Sequence, residues 1–280
     1  MKLFKTLFFV TSLFSIASCA TKGNQNTSKN NGTQSSSQAE QEAYGTILKK
    51  IADDMFDYGG AVRQNNTQSI RKALEPVDES HRGPEIQLPA VLVYLTGVVS
   101  DIENADPISK ALEFTGVYEF DYSSNETPNW TEQTIGLTIN AEVDKANNKV
   151  FFSGLENVEM NGSVMANSYI FMDISYNFET QVLGDFKMYM DQGSATSVYY
   201  FESVNGQASK SGQNTTAEEM SAFKATFDSY VTEFNALCQT KVVAEGALLA
   251  ACKEAFVTTQ KYANGLFGQK VDSVRIKQAA

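Results

Sequence analysis

The sequence predicts an α+β domain: an antiparallel sheet of about six strands, covered by helices drawn from both ends of the chain. Three observations carry this. Apolar residues recur every three to four positions before residue 112 and again after residue 214. Between 113 and 204 they instead alternate with polar ones, which is the period of a strand. The alternating segments follow one another across short turn signals with no helix between them, so the βαβ order of a parallel sheet or of a two-lobed solute-binding protein is missing.

Residues 1–18 stand outside that domain. Lys2 and Lys5 make a positive start, and Leu7 to Val10 with Leu13 to Ile16 form an apolar core too short to span a bilayer. The core closes on Ile16-Ala17-Ser18-Cys19, which resembles the lipobox of bacterial lipoprotein precursors. The resemblance covers this segment alone. It implies a signal peptide over 1–18, cleavage before Cys19, diacylglycerol on the Cys19 sulfur and a further acyl chain such as palmitate on the new amine. Each buried methylene contributes about 0.8 kcal/mol and stable attachment takes two chains, which lipidation of one cysteine supplies. The implied partner is therefore a membrane and the implied address is the cell envelope. With Ala20 and no Asp after the cysteine, the pattern is similar to lipoproteins sorted to the outer membrane of hosts with two membranes. In a host with one membrane it implies the outer face of that membrane.

Without residues 1–18 the chain carries 20 basic against 33 acidic residues, because the leader removes Lys2 and Lys5 from the 22 lysines and arginines. A net charge of −13 argues against nucleic acid as a partner and against a charge-driven grip on anionic lipid. From Cys19 to Gln38 the chain is polar and has no large apolar side chain, so it reads as a flexible tether, reaching roughly 25 Å as a random coil.

Residues 39–280 read as one domain, helical over 39–112, sheet over 113–204 and helical again over 214–267. Tyr44, Ile47, Leu48, Ile51, Met55 and Tyr58 fall on one helical face, and Gly59-Gly60 is the expected end. A short helix is expected from Thr67 to Leu74, before Pro76. Pro89 suits the first turn of a buried helix running to Ile102. The run from Ile86 to Val99, broken by Gln87, Pro89 and Thr96, suits that helix better than a membrane span. Strands are expected around Phe114–Tyr122, Ile135–Val143, Val150–Met160, Ile170–Phe178, Phe186–Met190 and Val198–Glu202. Asn147-Asn148, Asn161-Gly162 and Gln192-Gly193 mark turns. The alternation points to one apolar face, which helices must cover. Asn205 to Gln213 reads as a polar linker. Thr216 and Glu219 form a capping box for a helix with the stripe Met220, Phe223, Phe227, Tyr230, Phe234, Leu237. Leu248, Leu249, Cys252 and Phe256 continue into a last helix, and Val271 to Ile276 adds a short strand.

The chemistry on offer is thin. Cys238 and Cys252 are the cysteines left after Cys19. On one unbroken helix they stand about 21 Å apart, beyond disulfide reach. A hairpin turning near Lys241 to Gly246 would let them pair, and two separate buried thiols are the other outcome. Ser221-Ala222-Phe223-Lys224 fits the S-x-x-K of penicillin-binding proteins, with Ser203-Val204-Asn205 and Lys210-Ser211-Gly212 nearby. Their order along the chain departs from that family, and Ser221 and Lys224 suit the polar side of a helix. Asp121 to Glu132 offers oxygen donors at EF-hand steps, but Glu126 stands where the bend needs glycine. The one histidine, His81, gives neither a zinc site nor a triad. No cofactor is expected. Tyr118, Phe120, Phe171, Tyr176, Phe178, Tyr199, Tyr200 and Phe201 exceed what one sheet face needs, which suits either core packing or an apolar ligand under a curved sheet.

The expectation is thus a lipid-anchored, exported protein with a non-catalytic binding or interaction domain, for an apolar small molecule or an envelope protein. An extracytoplasmic hydrolase and a purely structural envelope lipoprotein are the competing readings.

Overall fold

In the computed structural model, the residues whose structure is described are 44–63, 87–103, 111–121, 127, 129–191, 198–205, 207–211, 216–266 and 274–277. Two helices, α1 (Tyr44–Arg63) and α2 (Gln87–Glu103), precede seven strands in succession. These are β1 (Leu112–Asp121), β2 (Trp130–Asp144), β3 (Lys149–Met160), β4 (Ser163–Asn177), β5 (Val182–Asp191), β6 (Val198–Val204) and β7 (Gln207–Ser211). The chain ends in α3 (Ala217–Cys238), β8 (Val242–Val243), α4 (Gly246–Leu266) and β9 (Val274–Ile276). The fold is α+β, as expected.

The sheet is a meander of order β7-β6-β5-β4-β3-β2-β1-β8, with β9 also on β1. Every pairing is antiparallel except β8, which runs parallel to β1. It holds nine strands among the described residues, against the six expected for the meander and the short one expected over Val271 to Ile276, which β9 meets at Val274–Ile276. The additional ones are short or polar. β7 occupies what reads in sequence as a linker: Asn205 turns the chain at φ 54°, and residues 207–211 then pair with β6. An edge strand needs backbone partners on one side only, so its polarity hides it from a hydrophobic pattern. Likewise α1 continues through Gly59-Gly60 to Arg63. Glycine costs a helix only about 1 kcal/mol, so the pair is a weak stop signal. The expected helix from Thr67 to Leu74, His81 and the Gln192-Gly193 turn lie outside the described residues.

Both faces of the sheet are apolar, which corrects the expectation of one. One row of neighbours, Leu112, Ile139, Gly154, Ile170, Met190 and Tyr199, lies beneath α1, α2 and α4. The adjacent row, Asn140, Ser153, Phe171, Tyr189 and Tyr200, points the opposite way. There Phe171, Tyr189 and Tyr200 meet α3 alone. Phe223 stacks on Tyr200 at 3.5 Å between ring centroids, and Phe227, Tyr230 and Phe234 surround Phe171 at 5.5, 5.5 and 6.1 Å. Alternation sorts side chains strictly by parity, so consecutive apolar residues such as Phe151-Phe152 and Ile170-Phe171-Met172 feed both layers. After α3 the chain rounds the β1 edge through β8 and lays α4 on the first face, where Phe256 meets Tyr118 at 4.5 Å.

Two glycines are needed where they stand. Gly97 lets α2 approach α1 closely: a Cβ there would meet the Gly45 carbonyl oxygen and Lys49 Cγ, both at 2.8 Å. Gly162, at φ 72° after Asn161 at φ 52°, makes the tight β3–β4 turn.

Candidate functional site

The structure scatters most of the chemistry considered from sequence. Cys19 lies outside the described residues. Cys238 and Cys252 are free thiols, Cys238 packed against the α3 cluster and Cys252 buried in the other one. The sheet stands between the two clusters, so the hairpin that would pair these cysteines does not form and the outcome is two separate thiols. Ser221 is exposed on α3, and Lys224 Nζ is bound by both Asp228 oxygens at 2.9 and 2.8 Å. This is an ordinary exposed ion pair one turn apart along the helix surface. Ser203 is buried under α1 on the opposite face of the sheet, so the serine and lysine motifs do not converge.

Asp121 and Glu132 serve the sheet. Asp121 Oδ1 accepts the Asn129 N–H at 3.0 Å, and Glu132 pairs with Lys277 beyond β9. Arg275, on β9, binds Glu119 at 2.7 Å and lies over the Trp130 ring at 4.0 Å. Among the described residues no group of three or more His, Cys, Asp or Glu is placed to hold a metal.

The aromatic excess divides between the two layers. Phe171 and Tyr200 serve α3, while Tyr118, Phe120, Tyr176, Phe178, Tyr199 and Phe201 serve the other face. Within the latter, one region combines aromatic walls with polar tips. Tyr58 of α1 meets Phe186 edge-on at 5.8 Å and Phe201 at 6.5 Å, and Phe186 stacks on Phe201 at 5.7 Å. Ser203 is the cross-strand neighbour of Phe186, and Tyr176 lies one pleat beyond Ile174, its other neighbour. Tyr176 and Ser203 are each 1% exposed.

The hydroxyls of Tyr58, Tyr176 and Ser203 are all buried and make no hydrogen bond. The Ser203 hydroxyl faces the Tyr58 phenol closely enough to favour its ionised form slightly, without reaching hydrogen-bond geometry. Burial still dominates and pushes the Tyr58 phenol up to about 12. Tyr176 is also raised, by burial first and by the Asp54 carboxylate second. Phenols held this firmly protonated are donors and acceptors rather than bases or nucleophiles. The cluster therefore brings together aromatic surface and hydroxyl groups that can donate and accept hydrogen bonds. Asp54, ion-paired with Lys50 at 3.0 Å, disfavours an anionic group there.

The sequence pointed to Tyr58 only as an apolar-face residue and to Tyr176 as one of the aromatics suited to core packing or an apolar ligand, and it left Ser203 in a motif it does not serve. The legible signal was parity: Ser203 shares the side of β6 that carries Tyr199 and Phe201.

No protein-family model, curated protein or solved structure matches this chain. The functional reading therefore rests on the residue pattern of positions 1–19 and on this geometry.

Proposed function

We propose that the chain is exported, cut before Cys19 and held at the cell envelope by lipid on that cysteine, where its domain acts as a non-catalytic binding module for an amphiphile. The observation that carries the anchoring is Ile16-Ala17-Ser18-Cys19 behind a positive start and a short apolar core. Among the described residues no helix is long and apolar enough to cross a membrane, and lipid on Cys19 supplies the attachment in this reading. The binding role is supported by the buried hydroxyls beneath α1, where Tyr58 and Ser203 face each other and Tyr176 makes no hydrogen bond among the described residues. Buried polar groups in native proteins nearly always find partners, and a ligand's polar end would supply one. The ligand class is an uncharged-headed amphiphile, its hydrophobic part against Phe186 and Phe201 and an ester, amide or hydroxyl against Tyr58, Tyr176 and Ser203. Ser229 donates to Glu233 at 3.1 Å on the exposed side of α3, and Lys224 pairs with Asp228, so neither contact lies in an enclosed site and no observation favours the hydrolase reading.

Labelled palmitate fed to the host tests the anchor. Incorporation into the native chain and its loss in Cys19→Ser are expected, and equal retention of Cys19→Ser at the envelope rejects the assignment. Native mass spectrometry of protein purified from its host tests the ligand. A co-purifying neutral amphiphile is expected, and a bare protein that neutral lipid vesicles fail to load rejects the binding role.

A further inference from the structure

Glu156 lies where a carboxyl group is out of place. It points from β3 to the face beneath α1, α2 and α4, the side that also carries Val150, Phe152 and Val158. It is 2% exposed. Its cross-strand neighbours are Leu137 of β2 and Ser168 of β4, and Gly154 and Val158 flank it along β3. Leu92 of α2 closes over this stretch, 3.4 Å from where a Gly154 Cβ would stand.

Among the described residues, the groups that face it offer no charge. β2 contributes Ile135, Leu137 and Ile139, and β4 contributes Ala166, Ser168 and Ile170. From Ala90 to Ser100, α2 has a single titratable side chain, the Tyr94 phenol. On α1, Lys50 pairs with Asp54 towards Tyr176, and Lys49 feels Asp53. On α4, Cys252 and Glu254 act on Tyr118 of β1. Opposite Glu156, the Ser168 hydroxyl is 3% exposed and has no partner.

We propose that Glu156 is a proton-dependent latch between α2 and the sheet. As a neutral acid it stays buried and α2 remains seated on β3; once ionised it draws water to the Glu156–Ser168 row and loosens the helix there. A carboxylate can only accept hydrogen bonds and is costly to bury unpaired, whereas the acid form can also donate one. Burial alone raises the group from 4.5 to about 7. The folded form thus binds this proton more tightly than the unfolded form does. Its contribution to stability is fully present below about pH 4.5 and is lost as pH rises through about 7. This inference is independent of the amphiphile reading, because it concerns the chain's own proton.

Hydrogen exchange on the full chain at pH 5 and pH 8, corrected for the intrinsic chemical rate, reads the latch directly. Protection of α2 and of β3–β4 is expected to fall by about tenfold or more at the higher pH. Glu156→Gln should show equal protection at both pH values, while Glu159→Gln, exposed on the same strand, should keep the wild-type response. A pH-independent wild type, or a glutamine variant that responds as wild type does, overturns the proposal. Should Glu156→Gln fail to fold, carboxyl-carbon NMR of the wild type decides instead. A Glu156 midpoint above about 6 supports the latch and one near the ordinary carboxylate value overturns it.

Discussion

The hydroxyls of Tyr58, Tyr176 and Ser203 separate two accounts of the same residues. Were they only core-packing groups, removing one would relieve an unsatisfied donor: Tyr176→Phe should leave stability unchanged or raise it by up to about 1 kcal/mol. The binding account adds a second expectation, that the same variant keeps its urea midpoint yet retains about tenfold less co-purifying amphiphile. A loss of more than about 1 kcal/mol in urea denaturation would give the phenol a structural partner and remove it from the binding argument. Glu156 was legible in sequence in the same way that Ser203 was. In the run Val150 to Met160 it falls on the parity of Val150, Phe152 and Val158, and an acid on that parity is the signal of a buried carboxyl. The alternation is noticed more readily than its exception, because one polar residue barely disturbs an apolar stripe.

At the scale of elements, close approach and capping give two sharp tests. Gly97 brings α2 against α1 with the Gly45 carbonyl oxygen in the way of any Cβ, and backbone cannot move aside as a side chain can. Gly97→Ala should therefore destabilise by about 1–3 kcal/mol, although alanine is the better helix former. An unchanged urea midpoint would mean that the two helices can part without cost. Thr216 and Glu219 complete a reciprocal box at the start of α3: the Thr216 side chain accepts the Glu219 N–H at 3.2 Å, and a Glu219 carboxylate oxygen accepts the Thr216 N–H at 2.9 Å. Thr216→Ala should cost about 1 kcal/mol, and circular dichroism during urea unfolding would show it. This box was fully readable in sequence, because its interactions span only three residues. So were the cores of β1 to β6, α3 and α4, whose periods are strong. What escaped were elements defined by backbone pairing rather than by apolar side chains. β7 and β8 are of this kind, as are the first residues of β4, Ser163 to Ala166, where Val164 and Met165 remain exposed. Gly59-Gly60 misled because a glycine costs a helix only about 1 kcal/mol, which makes it a weak stop signal.

For the whole molecule, the sheet is the partition that decides which residues can meet. Among the described residues α3 alone covers one face, with a largely aromatic contact, and α1, α2 and α4 cover the other. Among the described residues the chain passes between the helical layers at the β1 edge, where β8 and β9 flank α4 and Lys241 pairs with Glu113. Sequence spacing could not show that Cys238 and Cys252 fall on either side of this partition, since both a hairpin and separate thiols fit a fourteen-residue gap. The partition and the proposed anchor combine in a single measurement. The chain has 3 cysteines. If Cys19 carries lipid on its sulfur while Cys238 and Cys252 stay apart, protein from its host should titrate two thiols in denaturant without reductant. Adding reductant should leave both that count and the melting temperature unchanged, even though an exported protein works where disulfides form readily. Three thiols would mean an unmodified Cys19 sulfur. Fewer than two, restored by reductant, would mean that the cysteines meet and that α3 and α4 share one side of the sheet. In the native state Cys238, half-buried, should react first, with burial raising its thiol and slowing attack. Cys252, closed in beside Phe256, should wait for unfolding, so its labelling rate reports the opening of the α4 layer alone.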